Sequence, residues 1–202
     1  MNDEVLVKIQ AGTAAEVCQH FDLGEEASAL LREECTPQAF LDRLMARELF
    51  PDAVRLLAYA LPKRDAVWWA CLCVRHVADA VTSPTDLAVL EAAEHWVSEP
   101  HEANRRAAMQ AAEGLEFQTA ASWAAVAAFW SGSSMAPPEA SPVTPAEYLT
   151  ARAVSGAVML AAARCAPGAS ADTSRTLLVT GMAVAAGVRP WPVAAATVGA
   201  QP

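Results

Sequence analysis

Apolar residues recur every three to four positions through most of the chain, and nearly every such run is introduced by a capping residue, a proline or both. Thr13-Ala14-Ala15-Glu16 has the form of a capping box ahead of Val17, Cys18 and Phe21, so a short first helix is expected, with Val5 to Ile9 as an extended lead-in. Leu23-Gly24 closes it, and residues 25–34 predict a second helix with Ala27, Leu30 and Leu31 inward. Thr36-Pro37 restarts the chain as N-cap and first helical residue, placing Phe40, Leu41, Leu44 and Met45 on one face. Phe50-Pro51-Asp52 reads as a break, followed by a helix over 53–61. Pro62 then opens a helix over 63–80, and Ser83-Pro84-Thr85-Asp86 opens one carrying Leu87, Leu90, Ala93 and Trp96 or Val97.

Beyond Pro100 a polar helix extends to about Glu113, and residues 117–130 predict one with Ala120, Trp123, Ala127 and Trp130 along a buried stripe. The glycine, serines and three prolines within 131–142 exclude regular structure and point to a mobile loop. Thr144-Pro145-Ala146-Glu147 predicts a second capping box, opening a long helix to Cys165 with Leu149, Ala153, Val158 and Leu160 inward. After the Pro167-Gly168 break, Asp172 caps a last helix through Ala186 that Gly187 ends. Residues 1–187 therefore form a single all-α domain, an irregular bundle or stack of about eight or nine helices, with a loose tail over 188–202. The Ser/Thr-Pro starts at Thr36, Ser83 and Thr144 share capping chemistry but no fixed spacing, so they do not make a repeat.

Composition supports the helical reading. Hydrophobic residues make up 54% of the chain but aromatic ones only 6%, so much of the apolar content is alanine, which suits closely packed helices better than a sheet. A net charge of -9 argues against a nucleic-acid partner, because phosphate recognition needs a basic face. The apolar tracts at 154–163 and 177–188 fall short of the roughly 20 residues of a membrane span. The N-terminus lacks a basic segment followed by an apolar one, so a cytoplasmic protein is expected, with its five cysteines reduced.

Dense chemistry is confined to residues 61–76, where Lys63, Arg64, Trp68, Trp69, Cys71, Cys73, Arg75 and His76 fall within one helix. Metal binding there is disfavoured, since Cys71 and Cys73 are two apart and point in nearly opposite directions; only Cys73 and His76 share a face. Thiol catalysis, with Arg75 or His76 activating a cysteine and Asp79 orienting His76, conflicts with the apolar setting of the thiols. Glu25-Glu26, Glu33-Glu34 and Glu91 with Glu94 read as solvated charges, and no glycine-rich phosphate loop or other cofactor motif is present. No enzymatic activity and no cofactor are expected. Tryptophan and arginine are enriched at interface hot spots, which makes Lys63, Arg64, Trp68, Trp69 and Arg75 the candidate partner-binding residues. Burial of Trp68 and Trp69 in the core is the competing reading.

The run Leu61-Pro62-Lys63-Arg64-Asp65-Ala66-Val67-Trp68-Trp69-Ala70-Cys71, following Leu57-Ala58-Tyr59-Ala60, resembles the core of an uncharacterised proteobacterial all-helical family, the likeness spanning Thr13 to about Ala112. That resemblance implies association with type VI secretion and an accessory or adaptor role. Glu91-Ala92-Ala93-Glu94-His95-Trp96 is similar to small helical immunity proteins of toxin systems, which implies a toxin as the alternative partner. Neither carries catalytic residues. The expected function is protein binding, in a bacterial secretion or toxin-delivery system or as immunity to a toxin, with a thiol or metal enzyme the reading from another class.

Overall fold

The computed structural model describes residues 5–78, 82–164, 169–189 and 191. Within them the chain forms ten α-helices and no strand: α1 (Ala14–Cys18), α2 (Glu25–Leu30), α3 (Pro37–Ala46), α4 (Phe50–Ala60), α5 (Lys63–Val77), α6 (Pro84–Ser98), α7 (Glu102–Glu113), α8 (Ala120–Trp130), α9 (Leu149–Ala163) and α10 (Ser170–Ala185). The all-α expectation holds, with slightly more helices than the hydrophobic pattern predicts.

Side-chain capping explains where four of the ten helices, α1, α3, α6 and α8, begin. Thr13, Thr36 and Ser83 each accept a backbone N–H three residues on, from Glu16, Ala39 and Asp86, which satisfies a donor the first turn leaves unpaired. The Glu16 carboxylate accepts from the Gly12 N–H at 3.0 Å, one residue earlier than a strict capping box has it. At the far end Gly187 adopts φ +79°, and the N–H groups of Val188 and Gly187 donate to the carbonyls of Ala183 and Val184. This is a Schellman closure, which favours a residue without a Cβ.

Six local expectations need correction, the first being the cap of the last helix, which begins at Ser170 behind Ala169 and carries Asp172 within its first turn. Val5 to Ile9 is a turn rather than an extended segment: Leu6 is buried, and the Lys8 N–H donates to the Ala185 carbonyl at the end of α10. The second helix stops at Leu30, where Leu31 turns extended, and leaves Leu30 and Leu31 only half-buried. Phe50 and Pro51 open α4 rather than break the chain; the break falls at Glu48, whose φ is +56°. Glu116 and Phe117 both have left-handed φ values, so α8 starts only at Ala120 behind a Thr119–Ser122 capping box. Finally, Thr144-Pro145 does not open α9. Met135 N–H donates to the Val143 carbonyl and Val143 N–H to Ser134 Oγ, which fixes the chain just before Thr144, and the helix begins after Tyr148. The expected end of the α5 helix at 79–80, the ends at Cys165 and Pro167-Gly168, and the tail from 192 lie outside the described residues.

Helix α8 is the hub, packed against α5, α6, α7 and α9, while α9 also meets α4 and α5, and α10 lies across α4, α5 and α9. Nine of the eleven residues of α8 are buried, so it has no polar face. Its predicted stripe is reversed in part: Trp123 and Trp130 are half-buried, in a T-shaped pair 6.3 Å apart, while Ala124, Ala125 and Ala128 are fully enclosed. Similarly, Ala153, Ala157 and Ala161 form the inner face of α9, which leaves Leu160 exposed against expectation. Small side chains let these helices approach closely. One continuous hydrophobic core runs from Leu6 to Ala185.

The 131–142 segment is irregular, as its prolines dictate. It is tied to α7 by Arg105, which is buried, pairs with Glu102, and donates to the carbonyls of Phe129 and Ser134, and by Arg106, which donates to the Ala136 carbonyl at 2.8 Å.

Candidate partner-binding site

Helix α5 uses most of its conspicuous side chains internally. Trp69 is fully buried and donates from Nε1 to the Leu177 carbonyl at 2.8 Å, so it is a core residue and presents nothing to a partner. Arg64 reaches the C-terminal end of α6, donating to the carbonyls of Val97 (2.7 Å) and Ser98 (3.1 Å) that have no acceptor role within the helix. Its guanidinium also lies 4.2 Å from the centre of the Trp191 ring, with Lys8 at 4.7 Å. Trp68 is half-buried and donates to the Arg189 carbonyl. Arg75 is exposed but held in a two-pronged pair with Glu94, at 2.9 and 2.7 Å. Of the five sequence-derived residues, Lys63 alone has neither an ion pair nor a side-chain hydrogen bond among the described residues.

The thiols are equally withdrawn. Burial pushes the Cys71 and Cys73 thiols well above their usual range, and Cys18 is raised to about 11 by burial and by the nearby Asp52 and Cys35. Among the described residues no three histidine, cysteine or acidic side chains are grouped to hold a metal ion.

Lys63 instead belongs to a groove that the sequence does not reveal. Three adjoining clefts, of about 370, 390 and 470 Å³, share His20 and Tyr59 and run from the start of α5 past α1 and α4 to the first turns of α9. Tyr148 lines the first two. Each arrives for a local reason. Tyr59 stands on the last turn of α4, where it stacks at 4.9 Å on Phe21, carried by the loop after α1. Tyr148 is the N-cap of α9 and is exposed, and Arg152 lies one turn into that helix. The protein has two tyrosines, and both are here.

Charge in the groove differs from charge over the whole chain. Arg55 lines the middle cleft but is occupied, pairing with the buried Asp52 at 3.0 Å and donating to the Asp22 carbonyl. Arg152 lines the same cleft, and its side chain has no carboxylate or hydrogen-bond partner among the described residues. Burial raises the Tyr59 phenol above its usual range, Arg152 and Arg55 pull it back, and Tyr148 adds to the rise, which places all four within electrostatic reach. The sequence signal available for this site was the pairing of rare tyrosines with arginines at helix ends, and it becomes visible only when α4 and α9 are brought together.

A family model matches residues 40–185, nearly three quarters of the chain. The chain belongs to DUF6931, a family of unknown function. The match takes in Arg55, Tyr59, Lys63, Tyr148 and Arg152, while Lys8 and His20 precede it. It agrees with the resemblance to an uncharacterised family and extends further along the chain than that likeness. A comparison of this DUF6931 member with curated proteins finds no match, and one with solved structures finds none either. No helix among the described residues is long and apolar enough to cross a membrane.

Proposed function

We propose that this DUF6931 member acts by binding another protein through the Tyr59–Tyr148 groove, as an accessory or adaptor component of a bacterial secretion or toxin-delivery system. The observation that carries the reading is the joining of both tyrosines with two uncommitted cations, Lys63 and Arg152, along adjoining clefts open to solvent. Tyrosine offers a large, stiff contact surface with a polar tip, which suits recognition at low entropic cost. The extended form of the groove suits a segment of a partner chain. The secretion context rests on the likeness of residues 61–71 to the type VI-associated family, and is associational.

Affinity purification from the native host, with the bound proteins identified by mass spectrometry, tests this directly. The double variant Tyr148→Ala/Arg152→Ala should lose a partner that the wild type and Arg75→Ala both retain, and that partner should be a secretion component. Retention of every partner by the double variant would refute the groove as the site. Recovery of a toxin domain in place of a secretion component would move the assignment to immunity.

A further inference from the structure

We propose that the middle cleft of this groove takes a carboxylate side chain of an acidic segment in the partner protein, seated on Arg152 between Tyr59 and Tyr148; this rests on the protein-binding reading above. In a chain carrying 23 acidic against 14 basic residues, Arg47, Arg55, Arg75, Arg106 and Arg175 are each held by a carboxylate at or near the surface. Arg152 is not. It stands in a cleft of about 390 Å³ beside Arg55, which is paired with Asp52, and the one acidic side chain lining that cleft is the exposed Asp22.

The flanking clefts are nearer to neutral. Lys63 is accompanied by Glu147 in the first, and Lys8 by Glu16 in the third, with Lys8 further bound to Asp65. The middle cleft, lined by two guanidiniums and one carboxylate, thus has more cations than anions in its lining, and Arg152 is the guanidinium there without a carboxylate partner. Arginine presents a planar fork of donors that matches a carboxylate with two parallel hydrogen bonds, and the phenolic O–H groups of Tyr59 and Tyr148 can donate to the same anion. Phe21, packed on Tyr59, supplies an apolar wall beside it. This arrangement selects an aspartate or glutamate flanked by an apolar residue over a neutral or basic stretch.

Selection of displayed random nonapeptides on the full-length protein, followed by titration of the winning synthetic peptides by fluorescence anisotropy, tests the assignment. The selected peptides should share an aspartate or glutamate. Replacing that residue by its amide should weaken binding about tenfold or more, and Arg152→Gln should weaken binding of the acidic peptide by a similar factor while leaving the amide peptide unchanged. Arg75→Gln should leave both alone. The Arg152 side chain makes no hydrogen bond among the described residues, so the variant should melt with the wild type. Selected peptides without a common acidic residue, an amide replacement within twofold, an unaffected Arg152→Gln variant, or an empty selection would each overturn the proposal. Apolar or basic peptides that compete for Tyr148 would overturn the carboxylate assignment yet leave groove binding intact, which separates the two failures.

Discussion

Gly181 lies on the buried side of α10, where Leu57 and Trp69 leave no room for a side chain. A Cβ placed there would come within 2.6 Å of Leu57 Cδ2 and of Trp69 Cε2, closer than real carbon contacts allow. In an open helix interior, glycine to alanine gains about 1 kcal/mol through reduced backbone entropy. Here the gain is opposed by overpacking, about 1–3 kcal/mol. Because Trp69 is fully buried and its Nε1 donates to the Leu177 carbonyl, displacing the indole also strains a bond whose loss costs about 1–3 kcal/mol. The net expectation for Gly181→Ala is a loss of about 2 kcal/mol, or a midpoint roughly 4–8 °C lower for a chain of this size. Gly156 in α9 is the internal control: its Cβ would meet the Trp123 ring at 3.9 Å, an ordinary contact, so Gly156→Ala should gain up to about 1 kcal/mol. Urea unfolding followed by circular dichroism and tryptophan fluorescence reads both. A Gly181→Ala protein as stable as wild type would refute the packing of α10 on Trp69.

Lys63 and Arg64, adjacent in sequence, should separate cleanly. Lys63→Glu should leave the melting temperature unchanged, whereas Arg64→Glu uncaps α6 and should cost about 1–3 kcal/mol, read by the same unfolding curves. Arg105→Met removes the donors to Phe129 and Ser134; a loss of about 3 kcal/mol and faster elastase cleavage within 131–143 are expected. Its partner Glu102 is held below the usual 4.5 mainly by the hydrogen bond from Arg105, so its contribution is complete above that pH and is lost as pH falls through the lowered value; Arg105→Met should flatten this acid limb of a stability-against-pH curve. Cys18, raised from 9.0 to about 11, works in the opposite sense: stability should fall as pH rises from 9 towards 11, and Cys18→Ser should lessen that decline without abolishing it, because Cys71 and Cys73 are raised in the same direction. Cys71 and Cys73 should resist iodoacetamide at neutral pH until the chain is unfolded, as mass spectrometry would record.

What could be read from the sequence was local chemistry. Thr13, Thr36 and Ser83 cap the helices they precede because the cap depends on three or four neighbouring residues and little else. The same reasoning failed at Thr144-Pro145, where hydrogen bonds from the preceding loop hold the chain extended and postpone α9. It also failed at Leu160 and at the α8 tryptophans, since a core built on alanine lets the larger residues sit at its rim. The candidate site followed the same division. The conspicuous α5 residues were identifiable as chemistry, but their commitments are made to Leu177, Val97, Ser98 and Glu94, far away in the chain. Tyr59 and Tyr148 gave no local signal because nothing in their own segments indicates that α4 and α9 meet.

The most direct test of groove recognition is photo-crosslinking in the native host, with p-benzoylphenylalanine placed at Tyr148 or, as a comparison, at Arg75 on the exposed end of α5. A discrete adduct with a single partner from position 148, and none from position 75, is the predicted result. An adduct from 75 with 148 silent would contradict the account and return the binding surface to α5.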